Sequence, residues 1–174
     1  LKQITAPSDE WVMQRIGNVS SIRNFQKVTP NNDPNGLLKK NGGYIGCIYF
    51  SLSSIDQNSV NGSTIIEKGT DAGGAIEIYP TLESALNRCK YLSQFDNTFL
   101  YSGSYTVVGT MVIRTSYKLS NHEQVNITDQ IIKTFTELQA NEIKFISEYK
   151  TNHVCCSSTL QQTFVFDDIF AHTT

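Results

Sequence analysis

Asp71, Glu77, Tyr79 and Arg114 are the residues whose types and spacing come closest to assembling a polar site. Two carboxylates on neighbouring stretches of chain can divide general acid and base duties, and a guanidinium that ends an apolar run can steady a developing negative charge. A hydrolase or transferase using Asp71 and Glu77, with Arg114 as anion stabiliser, is therefore one reading. It lacks a nucleophile with a matched base. The chain's three histidines are His122, in the first turn of an expected helix, and His153 and His172 near the end of the sequence, so any triad would have to draw on one of them. The same four polar residues serve equally well as a partner-binding surface, Arg114 offering a planar fork to an anionic group. The plainer role for Arg114 is a structural ion pair with Glu77 or Asp71, and this is the role expected.

Other patterns carry less. Asn31-x-Asp33-x-Asn35-Gly36 imitates the start of an EF-hand loop, but Pro34 lies inside it and Gly42 stands where a bidentate Glu belongs. An Asx/Gly turn explains it more simply. Gly69 to Gly74 lacks the Lys and Ser/Thr that follow a phosphate-binding loop, and reads as a bend before a strand. His153-Val154-Cys155-Cys156 could be half of a zinc site, a reactive vicinal pair or an intermolecular disulfide, with no second Cys pair to complete a metal set. Cys47 and Cys89 fall on apolar stripes and read as buried thiols. No metal and no cofactor is expected.

The elements that must position these groups follow from periodicity. A helix should start after Pro7 with Ser8 as cap and bury Val12, Ile16 and Val19. Phe25 to Val28 reads as a short strand, and residues 30–36 as a loop. Tyr44 to Phe50 is continuously apolar and β-prone, as in a strand covered on both faces. Ile65 and Ile66 read as a short extended piece. Ala75 to Tyr79 alternates, which puts Glu77 and Tyr79 on an exposed face opposite Ile76 and Ile78. Thr81 caps a helix with the stripe Leu82, Ala85, Leu86, Cys89 and Leu92. Ser104 to Thr115 forms one long β-prone run with a bulge at Gly109, and Ser120 to Glu123 is a capping box opening a helix that runs to about Leu138.

These elements predict an α+β fold: two layers, a mainly antiparallel sheet with two to three helices packed on it. Residues 1–139 make a single domain, and residues 140–174 an extension with a short helix (141–149) and a strand (163–170). The 174-residue length fits one domain. Lys+Arg 14 against Asp+Glu 16 gives a net charge of −2, which argues against general nucleic-acid binding. Only 17% of residues are charged, and Ser, Thr and Asn fill 48 positions, so solubility rests on uncharged polar groups. No apolar run approaches a membrane span. The chain begins at Leu1, so a leader removed before it would place the protein in the cell envelope or outside the cell, and without one the cytoplasm is expected.

Four segments are distinctive together: Asn32 to Leu37 with Gly42-Gly43-Tyr44, Glu67 to Tyr79, Tyr91 to Asp96, and Ser102 to Ser116. They resemble a family of small, functionally uncharacterised domains of Gram-positive bacteria, many in proteins that look exported or lipid-anchored. The resemblance spans about residues 5–138 and implies a bacterial origin and one domain; it brings no catalytic residue with it, and the tail does not share it. The leading functional expectation is a non-enzymatic protein-binding module, in its sharper form a mobile-element or phage-encoded inhibitor that occupies a host effector. The enzyme at Asp71 and Glu77 and an envelope-associated structural domain are the alternatives.

Overall fold

The computed structural model describes residues 4–96 and 98–137. The chain runs through α1 (Asp9–Ile16), β1 (Ile22–Lys27), β2 (Gly46–Leu52), α2 (Ile65–Lys68), β3 (Gly73–Ile78), α3 (Leu82–Leu92), β4 (Tyr105–Val108), β5 (Met111–Thr115) and α4 (Asn121–Thr136). Local chemistry starts the helices. The hydroxyls of Ser8, Thr81 and Ser120 accept backbone N–H bonds from Trp11 at 3.1 Å, Ser84 at 3.1 Å and Glu123 at 3.4 Å. Each satisfies one of the donors a helix leaves unpaired at its first turn. Glu123 returns the bond to the Ser120 N–H at 2.8 Å, which completes the expected capping box.

The strands form a five-stranded sheet in the order β1-β2-β3-β5-β4, antiparallel at every pairing. With the helices packed on it, this is the expected α+β class. On one face Ile48, Phe50, Ile76, Ile78, Met111 and Ile113 meet α1 and α4 through Val12, Ile16, Ile127, Ile131 and Phe135. On the other, Cys47, Tyr49, Ala75 and Val112 lie under α2, α3 and the 29–44 loop, with Tyr44, Ile66, Tyr79, Ala85 and Leu92. All seven residues of β2 are buried, as its unbroken apolar run requires.

Three local readings differ. Residues 65–68 are a helix, held by a second capping box in which Thr64 and Glu67 bond each other's backbone N–H. The 104–115 run is a hairpin: Val108 pairs with Met111, so Gly109 and Thr110 form a two-residue turn with Gly109 at φ +59. Glu77 and Tyr79 are buried, at 0% and 1% exposure, because α3 and the 29–44 loop cover the face expected to meet solvent. The 141–149 helix, the 163–170 strand, Cys155, Cys156, His153 and His172 lie outside the described residues. Among the described residues, no helix is long and apolar enough to cross a membrane.

Gly74 lets β3 and β5 approach. A Cβ there would overlap the Arg114 carbonyl oxygen and the Phe50 ring. Gly74→Ala is expected to cost about 1–3 kcal/mol, the usual penalty for forcing extra carbon into a packed interior. Urea unfolding measures it, and an unchanged midpoint would show that the two strands can part freely.

Candidate functional site

The register places the polar groups of the second face in cross-strand rows. Tyr49 pairs with Ala75 and Ala75 with Arg114; Cys47 pairs with Glu77 and Glu77 with Val112. Arg114 is thus the diagonal neighbour of Glu77 on one face, within reach of a long side chain. Its Nη1 donates to Glu77 Oε1 at 3.0 Å, and its Nη2 donates to Ser102 Oγ at 2.8 Å.

α3 brings a second guanidinium to the same carboxylate. Arg88 Nε donates to Glu77 Oε2 at 2.8 Å and Nη2 to Oε1 at 2.9 Å, a bidentate fork. The Tyr79 hydroxyl adds a bond to Oε2 at 2.9 Å. The carboxylate is enclosed: Oε1 accepts from both guanidiniums, and Oε2 from Arg88 and the Tyr79 hydroxyl.

Burial pushes the Glu77 carboxyl up, but the Arg88 hydrogen bonds and the charges of Arg114 and Arg88 outweigh it, so Glu77 is held below the usual range and stays ionised. The same network sets its neighbours. Burial, with the Glu77 charge behind it, drives the Cys47 thiol up, which removes it as a nucleophile near neutral pH. Burial likewise raises Tyr49 and Tyr79, which remain protonated.

A second polar node pins the loop that covers this face. The Asp33 carboxylate accepts the Asn35 N–H at 3.0 Å, the Leu38 N–H at 2.7 Å and the Tyr44 hydroxyl. Asn35 Nδ2 donates to the hydroxyls of Tyr44 at 3.4 Å and Tyr49 at 3.3 Å. The EF-hand-like spacing is Asx-turn chemistry turned toward the protein's own donors.

Of the sequence-predicted residues, Glu77, Tyr79 and Arg114 come together, with the expected Arg114–Glu77 ion pair at 3.0 Å. They form an interior node, so the exposed polar face expected of Glu77 and Tyr79 is corrected: burial removes both from any surface a partner could touch. Asp71 stands apart. It lies in the 3-10 turn before β3, and a rise of about 3.3 Å per residue carries Glu77 about 13 Å beyond the strand's first residue. The two do not form a carboxylate pair. Arg88 and Ser102 are the members sequence reasoning missed. The signal for Arg88 was present: it sits three residues after Ala85 and four before Leu92, both buried. Among the described residues, no three His, Cys, Asp or Glu side chains converge as a metal set would.

Outside this node the surface is apolar in places. Leu82 and Leu86 of α3 point outward, Tyr91 is 51% exposed, and Phe99 is 95% exposed beside exposed Leu100 and Tyr101. Asp96, Thr98, Tyr101, Ser104, Tyr105 and Asn121 line a shallow groove open to solvent, where the Tyr105 hydroxyl donates to Asp96 at 2.7 Å. No protein-family model, curated protein or solved structure matches the chain.

Glu77→Gln would leave two mostly buried guanidiniums facing a neutral amide and is expected to cost about 3–5 kcal/mol of stability, measured by urea unfolding at neutral pH. The pH dependence follows from the sign of the shift. A carboxyl held below its unfolded value of 4.5 stabilises fully above that pH and loses its contribution as pH falls through the folded value. The stability gap between wild type and Glu77→Gln should therefore narrow on acidification below pH 4.5; a gap independent of pH would show that the charge on Glu77 is not what the fold uses.

Proposed function

We propose that this domain is a non-enzymatic protein-binding module, in its sharper form a mobile-element or phage-encoded inhibitor that works by occupying a host effector. The observation that carries the reading is the exposure of large apolar side chains on α3 and at residues 99–101, with Phe99 95% exposed. Large aromatic side chains held in water are unfavourable to the isolated domain and are the commonest anchors of protein interfaces. The resemblance to Gram-positive bacterial domains supplies the setting in which a partner is sought.

The interior node supports the same reading from the other side. A catalytic carboxylate needs access to substrate and a proton it can exchange near neutral pH. Glu77 is enclosed and held ionised by two guanidiniums, and Asp71 is too far away to assist it.

The test is affinity capture from a Gram-positive bacterial lysate on the immobilised full chain, with Phe99→Ser/Leu100→Ser beside it. Both sites are exposed, so the variant should melt like wild type. The expected result is a stoichiometric protein partner on wild type whose affinity falls about tenfold or more in the variant, as for truncated interface anchors. Equal capture by both forms, or none by wild type, would overturn the proposal.

A further inference from the structure

The Glu77 node is unbalanced: two guanidiniums face one carboxylate. Arg88 reaches Glu77 through Nε and Nη2, and Arg114 bonds Glu77 and Ser102 through Nη1 and Nη2. That leaves Arg88 Nη1 and Arg114 Nε without a hydrogen-bond partner among the described residues. Neither is a fully enclosed unpaired atom, and both side chains are 11% exposed, so a narrow edge of each meets solvent. Arginine is suited to this double duty, since its fork can hold an internal carboxylate on one edge and present N–H groups on another.

Exposed apolar side chains neighbour these edges, in space for Arg88 and along the chain for Arg114. The Arg88 guanidinium lies 5.4 Å from the centroid of the half-exposed Tyr91 ring, and that ring stacks edge-on against Phe95 at 5.2 Å. Arg114 holds Ser102, the residue that follows exposed Phe99, Leu100 and Tyr101. Among the described residues Asp96, which accepts the Tyr105 hydroxyl, makes no ion pair with either arginine, and Lys90 on α3 adds another cation.

We propose that Arg88 and Arg114 receive an aspartate or glutamate side chain from an acidic segment of the partner protein, whose neighbouring apolar residues pack on Tyr91 and Phe99 to Tyr101. A second carboxylate brings the node to charge balance, and charge-assisted hydrogen bonds are among the stronger polar contacts available to an interface. This inference rests on the protein-binding reading and adds to it the chemistry of the partner.

The probe is a displayed library of random dodecapeptides panned against the full chain, with selected peptides resynthesised and titrated by fluorescence anisotropy. Three variants separate the contributions. Ser102→Asp sets a carboxylate beside Arg114 in place of the ligand's. Arg88→Lys keeps the charge and loses the fork. Phe99→Ser removes the apolar anchor. Thermal melting checks that each remains folded. The expected result is selected peptides pairing Asp or Glu with an aromatic or aliphatic neighbour, binding about tenfold weaker to Ser102→Asp and more weakly as salt rises, with an acid-to-amide exchange in the peptide reproducing that loss. Peptides that lack acidic residues, or that bind Ser102→Asp as well as wild type while losing affinity for Phe99→Ser, would overturn this inference and leave the binding module standing. Loss of affinity in no variant, or no binding by wild type, would overturn both.

Discussion

One carboxylate held between two guanidiniums decides how the second face of the sheet is built. A buried ion costs several kcal/mol in lost hydration unless its partners are fixed in good geometry, so Glu77 on β3 requires Arg114 on β5 and Arg88 on α3 to arrive together. The register that sets Arg114 diagonal to Glu77 also opposes it to Ala75, whose small side chain leaves room for the guanidinium to cross. Tyr79 turns its hydroxyl inward for the same reason. The node ties β3, β5, α3 and residue 102 to a single group.

The consequence for α3 reaches the surface. A helix with Leu82, Ala85, Leu86, Cys89 and Leu92 has two overlapping faces it could bury, and hydrophobicity alone favours the one holding both outer leucines. Directing Arg88 at Glu77 selects the other, centred on Ala85 and Leu92, and turns Leu82 and Leu86 toward solvent. The exposure of Leu82 and Leu86 thus accompanies the inward placing of Arg88. The opposite face of the sheet packs aliphatic and aromatic side chains against α1 and α4.

What was legible in the sequence was what local chemistry decides. The caps at Ser8, Thr81 and Ser120 announce their helices, and the apolar run of β2 announces burial on both faces. The α2 helix is too short to show a period, although its capping residues Thr64 and Glu67 stood in the sequence at the right spacing. The hairpin was hidden because β4 and β5 make a continuous β-prone run in which a lone glycine reads as a bulge. Glu77 was misread because alternation distinguishes two faces of a strand without saying which of them a later segment covers. Its partners lie 11 and 37 residues away, and no local pattern reports such a pairing. Arg114 was readable as an ion-pairing residue because it ends an apolar run, while Arg88, although its spacing sets it on the face of Ala85 and Leu92, has no partner that the local sequence names.

The same interior bond that looks structural also prepares a surface. A free surface arginine loses much of its side-chain freedom when it binds, and that loss weakens its contribution to affinity. Arg88 and Arg114 are already immobilised by Glu77 and Ser102 during folding, so an acidic ligand at their open edges would meet donors whose ordering is complete. Tyr91, packed edge-on against Phe95 and lying under Arg88, is prearranged in the same way. Chemistry at this node would require Glu77 to be reached and to exchange its proton, whereas recognition requires only that Glu77 stay where it is and remain charged. Of the two demands, the second is the one that the enclosure of Glu77 and its held-down pKa both satisfy.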